Sequence, residues 1–495
     1  MPYQLTPAQL ELQAARRAAK LAAKANPKAA PKLSSEELER RRILKRDWVQ
    51  VGQSDSKRRV RIVTWNVLAQ TLVRRELFPG SDCLKWGERK PMLLAELERH
   101  SSADIICLQE CDRLKEFLPA MPDHSYIEAF GPNKKHGLLI FFRRSRFRAR
   151  SQRTVYLDEE ELSPYTAVNG NASINGQDKQ PSSSSKGDAA PGDIGRRRGG
   201  SRCTRNVGLV VALESVDALD QGIVIATTHL FWHPKFSYER IRQLIVLARA
   251  IQTFKQNEVR TPWPTILAGD LNMTPCEATY QLITSPSQAL PQELVDEFET
   301  SRLVHTSVDK ALSQLGPASA DQIPANDDNP STSPPAVDHD NNDEKDDDGD
   351  DDEQEPPDTD ERSVAGTRHP GPNDGILSFE SLVPHLREVL PEGLSSAYDT
   401  SRWVSGNEET FERRGGFKRH FENTPASLKG QNEPGYTCYT PLFKLTLDYL
   451  LLFPDDRVAF TALLRPAQSG DLSEGLPRKG ICASDHLAVG CELAW

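Results

Sequence analysis

Six short apolar runs, scattered between residues 60 and 493, each end in, contain or follow a polar residue. Runs of this length and composition read as buried strands, and a polar group at a strand tip must reach a site, a partner or the surface. The tips are Asn66, Glu110, His229, the pair Asp270/Asn272, the acid Asp448 within Leu445 to Phe453, and Asp485/His486 before the terminal run Leu487 to Leu493. Strand tips that converge build pockets in α/β and sandwich enzymes. The central run is Ile266-Leu267-Ala268-Gly269-Asp270-Leu271-Asn272. In extended backbone, residues two apart project to one side, so Asp270 and Asn272 are expected to face one site. A strand followed by an Asx-type turn is the plainer reading of the same residues.

Between these tips the chain alternates helix and strand signals. Val60 to Asn66, Asp104 to Gln109, Gly137 to Phe142, Val207 to Leu213, Ile223 to Thr228 and Trp263 to Leu271 read as strands. Helices are expected near Trp86 to His100 and Ala278 to Ile283, and over Phe236 to Phe254, where Ile241, Leu244, Ile245, Ala248 and Ile251 recur at helical spacing. Residues 1–57 read as a basic helical extension. The alanine-rich run Ala8 to Ala25 has high helix propensity, and Ser34-Ser35-Glu36-Glu37 offers a capping box for a second helix towards Trp48. Arg40, Arg41, Arg42, Lys45 and Arg46 make that helix basic, fit for solvent or for a phosphate backbone. Residues 58–495 form the expected catalytic domain. Two insertions, at about 158–203 and 300–375, lack the apolar content to form a core and are expected to be disordered.

The whole-chain charge of −10 hides an uneven distribution. Asp327 to Glu361 holds 17 acids and one lysine, a net of −16, which leaves the rest at +6. A mildly basic body suits a polyanionic substrate, and the acidic block suits a basic protein partner. No apolar run approaches the roughly 20 residues of a membrane helix. The eight cysteines show no framework spacing, which points to a reducing compartment. Cytoplasm or nucleus is the expected location. An acid-poor first 30 residues admits a mitochondrial presequence, against which Glu11 and the lack of an apolar face count.

Carboxylates, amides and histidines make up the inventory, with no nucleophile elbow and no phosphate-cradling loop. Hard oxygen ligands favour Mg²⁺ or Mn²⁺ over zinc. A histidine beside a buried acid suggests an oriented imidazole acting on phosphate or water. Together these point to metal-assisted hydrolysis of a phosphate ester.

The series Thr64-Trp65-Asn66, Leu108-Gln109-Glu110, Thr228-His229-Leu230, Gly269-Asp270-Leu271-Asn272, Leu447-Asp448-Tyr449 and Ser484-Asp485-His486 resembles the endonuclease/exonuclease/phosphatase superfamily. His229-Leu230-Phe231-Trp232-His233-Pro234 with Arg242-Gln243 looks like its carbon catabolite repressor, nocturnin and Angel-type deadenylase branch. With His136-Gly137-Leu138-Leu139-Ile140 it is most similar to fungal Ngl-type RNA exonucleases. The resemblance covers residues 58–495 less the insertions. It implies a deoxyribonuclease-I-like α/β fold, a four-layer sandwich of two β-sheets flanked by helices. It implies a Mg²⁺-dependent (Mn²⁺ as substitute) 3′-to-5′ exoribonuclease that acts on single-stranded RNA, adenosine-rich tails or ribosomal-RNA precursor ends, and releases 5′-mononucleotides.

By the same resemblance Glu110 binds the metal, with Asn66 and Asp485 near it. Asp270 activates the attacking water and Asn272 holds the scissile phosphate. His486, paired with Asp448, stabilises the transition-state charge, and His229 binds phosphate and assists the leaving group. Arg205 and Asn206 are candidate phosphate contacts. Phe231 and Trp232 offer a stacking surface for bases, with core packing the favoured reading for Trp232. The leucine-rich docking platform of some deadenylases has no counterpart here. Two rivals stand beside this reading. One is a phosphatase or phosphodiesterase of inositol phosphates or 2′,5′-oligoadenylate, and the other is an inactive RNA-binding protein.

Overall fold

Two β-sheets stacked face to face, with helices on both outer faces, form the core of the computed structural model. The structure describes residues 34–162, 199–314, 364–405 and 428–495, apart from positions 219, 260, 261, 373 and 473. The alanine-rich run Ala8 to Ala25, the Ser182 to Ser185 run and the Arg196 to Arg198 cluster of the first insertion, and the acidic block lie outside the described residues.

The first sheet has seven strands. In spatial order they are Trp48–Gln50, Ala459–Leu464, Val489–Ala494, Arg59–Asn66, Ile105–Cys111, Gly137–Arg143 and His124–Phe130. The second has six: Ser395–Ser396, Asp448–Leu452, Thr265–Asp270, Gly222–His229, Val207–Ser215 and Phe147–Tyr156. Between the sheets lies an apolar layer that includes Ile62, Ile105, Ile140, Val211, Ile225, Ile266, Leu450 and Cys491, all buried. Burial of such branched side chains on both inner faces supplies the main driving force for stacking. Helix Trp86–His100 covers the first sheet, and helices Ser237–Glu258, Ala278–Thr284 and Phe379–Val389 cover the second. The four-layer α/β sandwich expected from the sequence is therefore present.

Some local expectations change. The basic helix that begins at Ser35 ends at Arg40, capped at its start by Ser34, whose hydroxyl accepts from the Glu37 amide. Trp48 does not continue it. It opens a strand that pairs antiparallel with Ala462 to Leu464 and forms the edge of the first sheet. At the margins of the 300–375 insertion the chain has regular structure: Val304–His305 pairs with Thr367–Arg368, and Thr306–Gln314 is helical. Among the described residues no helix is long and apolar enough to cross a membrane. None of the eight cysteines is in a disulfide, in keeping with their irregular spacing.

Candidate active site

Strand register brings the polar tips together. In the second sheet Asp270 stands opposite Asp448 on its antiparallel neighbour and opposite His229 on its parallel neighbour. Three residues separated by up to 219 positions thus meet at one row of the sheet. In the first sheet Asn66 is in register with Gln109 on the parallel strand whose penultimate residue is Glu110. Pairing of that strand with Gly137–Arg143 slips between Leu108 and Cys111. Such a bulge re-aims a side chain at a sheet end, and Glu110 sits in it with φ of 57°. Leu68, Arg205 and Asn272 also have positive φ. Four of the six non-glycine residues with that conformation, among the described residues, therefore surround this end of the sandwich. Backbone of that kind is costly and concentrates at functional sites.

Gly269 lets the two central strands close. A Cβ there would stand 2.2 Å from the Thr228 carbonyl oxygen, well inside contact distance, so only glycine fits before Asp270.

Asn66 links the two sheets. Its side-chain amide donates to Glu110 Oε1 at 2.8 Å and to Asp270 Oδ2 at 3.0 Å, while its own Oδ1 accepts from the Leu68 amide at 3.0 Å. Glu110 Oε2 accepts from the Ala69 amide at 2.9 Å. The Asn66 side chain is fully engaged in holding two carboxylates. Asp270 Oδ1 accepts from the Asn272 amide at 3.0 Å. Asn272 lies beyond the strand, so a turn rather than strand parity places it beside Asp270. Its side chain donates to the Leu230 carbonyl at 3.0 Å.

His486 lies between two acids. Nδ1 is 2.8 Å from Asp448 Oδ2, and Nε2 is 3.7 Å from Asp270 Oδ2. Burial by itself would lower its pKa. The charges of Asp448, Asp270 and Asp485 and the neighbouring Cys438 outweigh that and raise it well above the ordinary value. His486 is then an imidazolium at neutral pH. Asp448 is held in turn by Thr437, whose hydroxyl donates to Oδ2 at 2.6 Å, and its buried Oδ1 has no protein partner.

His229 is the opposite case. Burial pushes its pKa down to about 4, although Asp270 pulls it up. It is neutral near pH 7, with Nε2 3.5 Å from Asp270 and Nδ1 3.9 Å from Glu110. Burial raises the pKa of Asp270 and of Asp485, and the Glu110 charge pushes Asp485 in the same direction. Crowded, desolvated carboxylates of this kind are the donor set that a hard divalent cation relieves.

A cleft of about 280 Å³ opens from Glu110 and His229 past Lys134, His136, Arg205 and Asn206. It continues into a space of about 520 Å³ that reaches Arg202, Phe231 and Trp232. The Asp158 carboxylate fixes this wall by accepting from the backbone amides of Thr204 and Arg205, both at 2.6 Å. Lys134 donates to the Asn206 side chain at 2.8 Å. Arg242 and Gln243 stand behind the wall rather than in the cleft: Arg242 pairs with Glu239 at 2.6 Å, and Gln243 donates to Thr204 at 2.9 Å. The two aromatics reverse their expected roles. Phe231 is buried, edge-on to Phe236 with ring centres 5.2 Å apart, whereas Trp232 is 49% exposed.

Arg89 was not foreseen as part of the site. It is fully buried and donates to the carbonyls of Val67, Leu68 and Ala483 at 2.6–2.8 Å, tying the loop after Asn66 to the loop before Asp485. Its signal in the sequence is a charge on the buried face of its helix, alongside Met92, Leu93, Glu96 and Leu97. Thr437 and Cys438 carry no such signal. Only the bridge between Cys438 and His486 places them.

Stacked sheets with carboxylates, an amide and two histidines at one end define a hydrolase of phosphate esters. A family model described as Endonuclease/Exonuclease/phosphatase matches residues 63–486, and the chain belongs to this family. It is 27% identical over 451 residues to the probable RNA exonuclease C9B6.11c of Schizosaccharomyces pombe, across 87% of this chain and 75% of that protein. It is 32% identical over 254 residues to RNA exonuclease NGL2 of Saccharomyces cerevisiae, across 46% and 42%. The chain thus spans three quarters of the first relative and about two fifths of the second. A crystal structure of ANGEL2, a 2′,3′-cyclic phosphatase, superposes with a TM-score of 0.49 at 18% identity, over 91% of this chain and 99% of that one.

Proposed function

We propose that this protein is a divalent-metal-dependent 3′-to-5′ exoribonuclease that releases 5′-mononucleotides from single-stranded RNA. The observation that carries the reading is the joining of Glu110 and Asp270 through one amide, Asn66, with His229 and His486 on either side of Asp270. Its relatives include proteins named as RNA exonucleases. Adenosine-rich tails and ribosomal-RNA precursor ends are the candidate substrates.

Glu110 and Asp485 would hold Mg²⁺ or Mn²⁺, which when bound supplies Lewis-acid polarisation of the phosphoryl group. Asp270 accepts the proton of the attacking water, favoured as a base by a pKa raised through burial. Asn66 is a positioning residue that holds Asp270 and Glu110 in one frame. His486, kept charged by Asp448, stabilises negative charge on the phosphoryl oxygens in the transition state. His229 is neutral, so near pH 7 it donates a single hydrogen bond to phosphate and is a weak source of protons for the leaving group. Asn272 is the candidate to hold the scissile phosphate. Arg205 and Asn206 supply contacts to the next phosphate along the cleft, and exposed Trp232 offers a face on which any base stacks.

The test is incubation with Mg²⁺ and three 5′-labelled RNAs: poly(A), a mixed sequence and a 2′,5′-linked oligoadenylate. A ladder shortening from the 3′ end on a 3′,5′-linked RNA is expected. Cleavage of the 2′,5′-linked oligomer alone, or of no RNA, overturns the proposal.

A further inference from the structure

The geometry points to a second, chemically distinct metal site that overlaps the hydrolytic centre: Cys438, His486 and Asp485 form a pocket for a soft divalent cation such as Zn²⁺, and its binding shuts the enzyme off. One ligand atom from each of the three residues lies within 4.8 Å of the other two. All three side chains are buried, with exposures of 1%, 6% and 9%. A thiolate, an imidazole and a carboxylate match the preference of zinc for sulfur and nitrogen, and they leave a fourth tetrahedral position for water. Mg²⁺ takes oxygen donors and has no use for the sulfur.

Two further features suit a metal here. His486 already has its Nδ1 on Asp448 at 2.8 Å, the carboxylate–histidine arrangement that orients a ligating imidazole and strengthens it as a donor. The Cys438 backbone is held by pairing on both sides: it forms a bridge with His486, and its hairpin partner is Leu445.

Occupation has a definite consequence, which rests on the hydrolytic roles proposed above. The cation takes the place of the thiol proton of Cys438 and of one ring N–H proton of His486, and both protons pass to solvent. His486 then no longer presents a positive N–H to the phosphate, and Asp485 is drawn from the Mg²⁺ position. Zinc is thereby an inhibitor that acts through a cysteine taking no part in hydrolysis.

Co²⁺ is the probe, since a thiolate bound to it gives a charge-transfer absorption that oxygen and nitrogen ligands do not. The full-length protein, loaded with Mg²⁺, is titrated with Co²⁺ as wild type, Cys438→Ser, Cys438→Ala and Glu110→Gln, each checked for folding by its melting temperature. The band is expected in wild type and in Glu110→Gln, absent from both Cys438 variants, and displaced by Zn²⁺. Zinc inhibition of RNA cleavage is expected to weaken by about tenfold or more in the Cys438 variants. A band that survives loss of Cys438, or that is absent from folded wild-type protein, overturns the proposal. The absorption reads the site even if RNA is not the substrate, so failure of the exonuclease reading is seen separately.

Discussion

Replacing Asp448 with Asn keeps the shape of the partner to His486 and removes its charge. The separation is 2.8 Å, and both side chains are buried. At about 4 Å and an effective dielectric of about 20, opposite charges attract by about 4 kcal/mol. The His486 pKa is therefore expected to fall. With Asp448 gone, burial opposes the imidazolium and only Asp270, Asp485 and Cys438 still favour it, so its charged fraction falls. The turnover rate is then expected to drop by about 10²–10³ at pH 7.5. Its alkaline limb, where His486 loses its proton, should move to lower pH.

Stability should respond with a definite sign. The folded-state pKa of His486 is raised. Its contribution is therefore complete below the unfolded value of about 6.5 and is lost as pH rises through the folded value. Asp448→Asn removes that contribution, so the deficit in melting temperature should be largest at low pH and shrink as pH rises. The assay is the pH dependence of kcat from pH 5 to 9 on labelled RNA, together with melting curves over the same range. An unchanged pH profile with unchanged kcat would show that His486 does not depend on Asp448 for its charge.

Arg89→Met should cost about 3 kcal/mol or more, because it strips the charged donor from three buried carbonyls; chemical denaturation measures this, and a loss below 1 kcal/mol would contradict it. Trp232→Ala should weaken RNA binding by about 1–3 kcal/mol with no change in melting temperature, measured by fluorescence anisotropy on a catalytically blocked background. Gly269→Ala should lower both stability and turnover, since its methyl group would press on the Thr228 carbonyl; wild-type behaviour would mean that the strands part without cost.

The central strands of both sheets were legible because they are buried on both faces. Ile105 to Leu108 and Thr265 to Ala268 are continuous apolar runs, and nothing but a core strand suits them. The edge strands were not legible. Phe147–Tyr156 carries Arg148, Arg150, Gln152 and Arg153, and its outer face meets solvent. Trp48–Gln50 reads as the end of a basic helix and becomes a strand only by pairing with residues more than 400 positions away. Candidate site residues on strand tips were readable, since an acid after an apolar run demands a partner. Their partners were not. Thr437 and Cys438 sit at the base of a hairpin whose strands have two residues each, and only tertiary pairing places them beside Asp448 and His486. Asp270 and Asn272 come together through a turn at φ of 47°, where strand alternation alone was the argument from sequence.

The most direct test of the account is cleavage of 5′-labelled RNA by wild type and Glu110→Ala across a Mg²⁺ titration, with melting curves for both. The account predicts a metal-dependent ladder from the 3′ end in wild type. In the variant the ladder should be lost while the protein remains folded, because Glu110 sits in a bulge at the end of its strand and not in the apolar layer between the sheets. Activity that survives in Glu110→Ala, or wild-type cleavage that persists in excess chelator, would contradict the metal-dependent mechanism.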